Sequence, residues 1–217
     1  MASDPTSLAY RLFRKLSRTR PGMSDGLAVA LEAIQSAPGG RAWRTVQADQ
    51  LEAGLDPFMR WLAVLVKKAP PPASTAALWF EVPEVDLNPA YTSVSAYDVF
   101  DRLDEFFGFE EGRTWPEDKR GVTLPIGLHQ LPELEQALAS VGWRDPAMTT
   151  ERSESLTPGA FALTFSYITL LVLNALPHSP FEPLLHRDGG LAVVVGWYSG
   201  DAFPLGMLPT QGWATIK

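Results

Sequence analysis

The chain has 217 residues, 46% of them apolar, with seven Trp and a formal net charge of −7. That is ample apolar material for a packed core, which excludes a disordered chain. Cysteine is absent, which excludes disulfides and cysteine-ligated zinc and suits a cytoplasmic setting.

The charge is unevenly spread. Residues 1–20 hold Arg11, Arg14, Lys15, Arg18 and Arg20 against only Asp4, so the rest of the chain is strongly acidic. Such a body repels phosphate backbones, which argues against nucleic acid, and favours encounter with a basic protein. The basic start has the composition of a transit peptide but no apolar run for secretion. Its capping residues favour a solvated helix face instead.

Three dipeptides pair an N-cap residue with a proline that has no N–H to strand: Asp4-Pro5, Asp56-Pro57 and Thr157-Pro158. Each predicts a helix start. The first helix buries Leu8, Leu12, Phe13 and Leu16. A second, opened by Ser24, aligns Leu27, Leu31 and Ile34 and stops at Pro38-Gly39-Gly40. From Pro57, the spacing of Phe58, Trp61, Leu62, Leu65 and Val66 predicts an amphipathic helix, with Lys67 and Lys68 at its negative end.

The proline-rich stretch at residues 69–75 then connects a helical third, 1–68, to a mixed remainder, 76–217, within one domain. Ala77 to Val82 reads as a buried strand ended by Pro83. Ser95-x-x-Asp98 has the spacing of a capping box and predicts a helix to about Phe107. Another helix runs from Pro132 through Leu134 and Leu138 to Gly142, a glycine suited to a C-cap. Leu191 to Tyr198 predicts a central strand, and Ala202 to Leu208 its hairpin return, pushed to an edge by Pro204. The expected fold is α+β, a mostly antiparallel sheet with helices against it.

Residues 158–176 approach the roughly 20 apolar residues that cross a bilayer. Thr164, Ser166, Thr169 and Asn174 interrupt the segment, and basic residues flank it on both sides, Arg152 and Arg187. A helix buried on all sides, and no membrane, is the reading preferred.

Chemistry is sparse. His129, His178 and His186 have no metal-ligand spacing, so no metal or cofactor is expected. Gly196-Trp197-Tyr198-Ser199-Gly200 places its serine one position late for a nucleophile elbow, and hairpin residues follow where a helix is needed. Ser199, His186 and Asp188 are the least unsuitable triad. Glu81, at the end of a buried strand, is the first single candidate for acid–base work. No catalytic assignment follows from either. The segment 98–118 carries more signal. It holds Asp98, Asp101, Asp104, Glu105, Glu110, Glu111, Glu117 and Asp118 against Arg102 and Arg113, with Trp115 interleaved. Acids that steer encounter beside an aromatic anchor describe a surface for a basic protein, as in an inhibitor or immunity-type protein. The alternative is a small-ligand-binding protein or hydrolase, with Thr164, Tyr167 and Asn174 lining a pocket between the sheet and helix 158–176.

Overall fold

The computed structural model describes residues 6–86, 89–98, 113–116, 125–178, 190–197 and 202–208. The fold is α+β, and the chain passes back and forth between two compact units. The first comprises residues 1–56, 84–90 and 131–174, and the second residues 57–83, 91–130 and 175–217.

The first unit is built around one long helix. α1 (Ser7–Thr19), α2 (Met23–Gln35), α3 (Ala48–Glu52), α5 (Pro132–Ser140) and α6 (Thr150–Ala175) belong to it, with a 3-10 segment at Gly40–Thr45. From Ala160 to Ala175 every residue of α6 except Phe161 and Asn174 is buried. By length and composition α6 passes for a membrane span, yet most of its apolar window is covered, as in the core helix of a soluble protein. Close approach on several sides explains the burial. The rings of Tyr10 and Phe13 meet Phe165 edge-on at 6.2 and 5.4 Å. Gly26 on α2 leaves the space that Leu170 fills, and Gly54 leaves room for the Tyr167 hydroxyl. Within α6 itself, Gly159 admits the indole of Trp43. Bare glycines let backbone and ring approach to distances a side chain would block.

The helix starts differ from the sequence expectation. Thr157-Pro158 does not open a helix; α6 begins at Thr150 and carries Pro158 inside it. Thr157 Oγ1 donates to the Ser153 carbonyl at 2.8 Å, so the threonine bonds backward along a helix already formed. Pro158 costs one backbone bond there, and burial of Leu156 and the Trp43–Gly159 fit outweigh it. Asp56-Pro57 is nearer the mark, since α4 (Leu55–Lys68) starts two residues earlier. Pro57 then falls in the first turn, where N–H groups lack partners in any case. Asp4-Pro5 lies outside the described residues. α5 ends as its sequence implies, with Gly142 at φ +77°.

The second unit holds α4 from Pro57 onward and a six-stranded sheet. Its strands are β1 (Ala77–Val82), β2 (Tyr91–Tyr97), β3 (Arg113–Trp115), β4 (Leu128–Gln130), β5 (Leu191–Trp197) and β6 (Ala202–Leu208). The order is β3-β2-β1-β5-β6, with β4 also pairing β2. All pairs are antiparallel except β1 with β5. Every residue of β5 is buried, which fits its unbroken apolar run and its place between β1 and β6. β6 returns antiparallel at the edge, and the register shifts between the positions facing Gly206 and Pro204. The proline thus sits where a missing N–H is tolerated.

β2 overturns a second expectation. Ser95 lies within a strand, so it opens no helix. The segment Thr92-Ser93-Val94-Ser95-Ala96-Tyr97 alternates, and its serines conceal the strand period. The segment at 69–75 lies wholly inside this unit, where Thr75 closes a turn onto the Pro72 carbonyl.

Candidate functional site

Alternation along β1 sends Phe80 to one face of the sheet and Glu81 to the other. On the Phe80 face, Phe58 of α4 packs at 6.1 Å, and His129 of β4 lies 5.6 Å from the same Phe58 ring. Trp61 stacks on His129 at 5.2 Å and 24°, while its indole N–H donates to the Ile126 carbonyl at 2.9 Å. Burial among these rings pushes the His129 imidazole down to about 4. It is therefore neutral near pH 7 and poorly matched to general-base work there.

The Glu81 face is different. The Ser93 hydroxyl donates to the Glu81 carboxylate, and Thr92 Oγ1 donates to the Glu81 backbone carbonyl at 2.6 Å. Ser93 pairs with Leu128 across β2 and β4, whereas His129 pairs with Thr92, one position along. A one-residue step reverses the face, so Ser93 and His129 point to opposite sides. Serine, acid and histidine do not converge here. Glu81 is held as a hydrogen-bond acceptor on a buried strand. Beside it, Ser95 Oγ is buried without a hydrogen-bond partner.

Of the other residues singled out in the sequence, Ser199, His186 and Asp188 lie outside the described residues, as do Asp101, Asp104, Glu105, Glu110 and Glu111. Asp98 is exposed just past the end of β2. Trp115, read from the sequence as an anchor for a partner, is 5% exposed, and its indole N–H donates to the Ala69 carbonyl. Among the described residues no group of three His, Asp or Glu side chains is placed to hold a metal.

The residues expected to line a pocket on the long helix sit in the first unit. Asn174 Nδ2 donates to the Leu170 carbonyl at 2.9 Å and reaches the Pro21 carbonyl at 3.4 Å. The Tyr167 hydroxyl and Thr164 Oγ1 are buried without partners. Burial, reinforced by the Glu133 carboxylate, raises the Tyr167 hydroxyl above its ordinary value. None of the three lines the clefts beside Arg41, Arg11 or Arg144 in this unit.

One of those clefts, about 610 Å³, is lined by Glu135, Gln136, Trp143 and Arg144 among others. It is tied to residues 84–90. The Val85 carbonyl accepts from Trp143 Nε1 at 2.8 Å and from Arg144 Nε and Nη2 at 3.1 and 2.6 Å, and the Glu135 carboxylate accepts the Ala90 N–H. Arg144 adopts φ +68°, a strained value for a side-chain-bearing residue. Burial lowers its pKa, while Glu135 and Asp86 act in the opposite sense. With its guanidinium bonded and balanced by two acids, Arg144 serves to fasten the loop.

A second cleft of about 490 Å³ is lined by Arg41, Arg152, Thr45, Ser140 and Ser155 among others, with no carboxylate among the described residues. Sequence reasoning passed over these residues. Arg41 and Arg152 are far apart in the chain, and no motif links them.

No protein-family model, curated protein or solved structure matches the chain.

Proposed function

We propose that this is a soluble, non-catalytic protein-binding module that captures a basic protein through the acidic segment 98–118, in the manner of an inhibitor or immunity-type protein. The single observation behind this reading is the concentration of charge. Eight carboxylates against two arginines give the segment a net −6, in a chain whose total is −7. Charge gathered so locally accelerates encounter with an oppositely charged surface and penalises wrong partners. The chemistry on the described residues is consistent with binding as well: Glu81 is held by Ser93 and His129 is neutral on the other face. Because Trp115 is committed to the Ala69 carbonyl, attraction in this scheme comes from the acids and not from that indole.

The test is capture of a basic protein from the native lysate at low and at high salt, with wild type and with Asp101, Asp104 and Glu105 changed together to alanine. The expected result is a partner held at low salt, shed as salt rises, and held less tightly by the triple variant with a flatter salt dependence. A partner whose affinity ignores both salt and the substitutions refutes the acidic-face reading.

A further inference from the structure

We propose that the cleft between Arg41 and Arg152 is a binding site for the phosphate group of a small phosphomonoester. The cleft belongs to the first unit and is lined by the segment Gly39–Thr45, the C-terminal end of α5 at Ser140 and Val141, and α6 at Arg152, Ser155 and Leu156. Its volume of about 490 Å³ lies within the ordinary range for small-molecule sites.

The charge in the lining is one-sided. Arg41 and Arg152 both line a space that has no carboxylate among its described lining residues, in a chain with an excess of seven negative charges. Glu151 and Glu154 occupy the same turns of α6 as Arg152, but neither enters the lining. Two arginines in one lining, with no described carboxylate between them, leave positive charge available to an anion. Planar guanidinium forks match the oxygens of a phosphate, each offering two parallel N–H groups.

The fold restrains the Arg152 side chain and the backbone that carries Arg41. Arg152 Nη2 donates to the Val141 carbonyl at 3.2 Å, and a side chain at Gly142 would crowd the same guanidinium. Arg41 follows a turn pressed onto α6. Gly39 has φ +77°, and a Cβ there would lie 2.2 Å from the Ser155 carbonyl oxygen. Only glycine satisfies both demands, so the segment that carries Arg41 is fixed against the turn next to Arg152. Less conformational freedom is then lost on binding than with two loose surface cations.

Three hydroxyls complete the lining. Thr45, Ser140 and Ser155 each donate to a backbone carbonyl three residues earlier, at 3.2, 2.7 and 2.8 Å. A hydroxyl carries one rotatable proton, so each can turn from its own helix to a phosphate oxygen. The cleft therefore supplies charge from two arginines and secondary donors from three hydroxyls. The neighbouring groove over α1 and α2 has Arg11 and Lys15 and likewise no acid among the described residues. Its two cations are one turn apart on a single exposed helix face, which makes it the natural comparison for unspecific attraction.

The experiment titrates the full-length protein with inorganic phosphate and with glycerol phosphate at constant ionic strength. It is read by calorimetry and by the arginine Nε–H signals in NMR. Thermal shift is unsuitable, since phosphate stabilises proteins generally by exclusion from their surface. The expected result is saturable binding that moves two arginine signals and weakens about tenfold or more in Arg41→Gln and in Arg152→Gln, with Lys15→Gln unchanged. Arg152→Lys, which keeps the charge and loses the fork, should also weaken binding. Both arginines are exposed, and Arg41→Gln decides the matter if Arg152→Gln, which loses the bond to the Val141 carbonyl, disturbs the fold. Absence of saturable binding for either compound overturns the proposal, as does an equal loss in Lys15→Gln and Arg41→Gln, which signals unspecific attraction. Failure here leaves the acidic-segment reading untouched, because the two rest on different residues.

Discussion

His129 links the core of the second unit to a measurable pH dependence. Its imidazole is surrounded by Phe58, Trp61 and the Thr92 position of β2, and burial lowers its pKa from 6.5 in the unfolded chain to about 4. Between those two values the unfolded chain binds a proton that the folded one does not. The stability this group contributes is therefore complete above pH 6.5 and is lost as pH falls through the window from 6.5 to 4. At about 1.4 kcal/mol for each pH unit, the gap sets a ceiling of about 3.5 kcal/mol. His129 is only part-buried, and solvent screening reduces the expected loss to about 1–2 kcal/mol. Urea unfolding at several pH values from 7.5 down to 4, for wild type and for His129→Leu, isolates the effect. Other groups contribute equally to both proteins, so the difference between the two curves belongs to His129. The wild type should lose the stated amount relative to the variant, and an NMR titration should place the imidazole midpoint well below 6.5. Parallel curves, or a midpoint at or above 6.5, would refute the account of a desolvated, ring-enclosed histidine.

Two substitutions in the first unit probe the packing of α6. Gly159→Ala improves helix propensity by about 1 kcal/mol, yet its methyl would lie 2.3–2.4 Å from indole atoms of Trp43, itself 1% exposed. A net loss of about 1–2 kcal/mol is expected, and a urea midpoint at or above wild type would show that the indole has room to yield. Tyr167→Phe removes a buried hydroxyl that has no hydrogen-bond partner, so stability should hold or rise by up to about 1 kcal/mol. A loss of more than about 1 kcal/mol would mean that the hydroxyl is satisfied, through Glu133 or an ordered water.

Elements whose information is local were legible in the chain. The i, i+3, i+4 spacing of Phe58, Trp61, Leu62 and Leu65 placed α4 within two residues, and the apolar run from Leu191 to Trp197 marked β5 as an interior strand, flanked on both sides. Pro204 lies on an edge strand because a missing N–H restricts a strand wherever it occurs. The α+β class and the burial of the long apolar helix follow from the same local periods. Where local signals compete, they misled. Thr157-Pro158 has the chemistry of a helix start, but a cap residue also bonds backward inside a helix, and only the packing of Leu156 and Gly159 decides between the two. Ser95-x-x-Asp98 has the spacing of a capping box, but sheet pairing of Ser95 with Trp79 takes precedence.

The sites divide on the same line. Composition by itself determined that the chain is acidic, that the acid is gathered in residues 98–118, and that no sequence motif for a metal or nucleotide is present. Charge and spacing are properties of the chain before it folds. Tertiary structure alone decided that Trp115 is spent on the Ala69 carbonyl, that Ser93 meets Glu81 while His129 faces the other way, and that Arg41 and Arg152 line one cleft. Each of these depends on which distant segments become neighbours and which face a side chain takes. Pairing of strands and closure of long loops settle those relations, and they leave no spacing in the sequence to read.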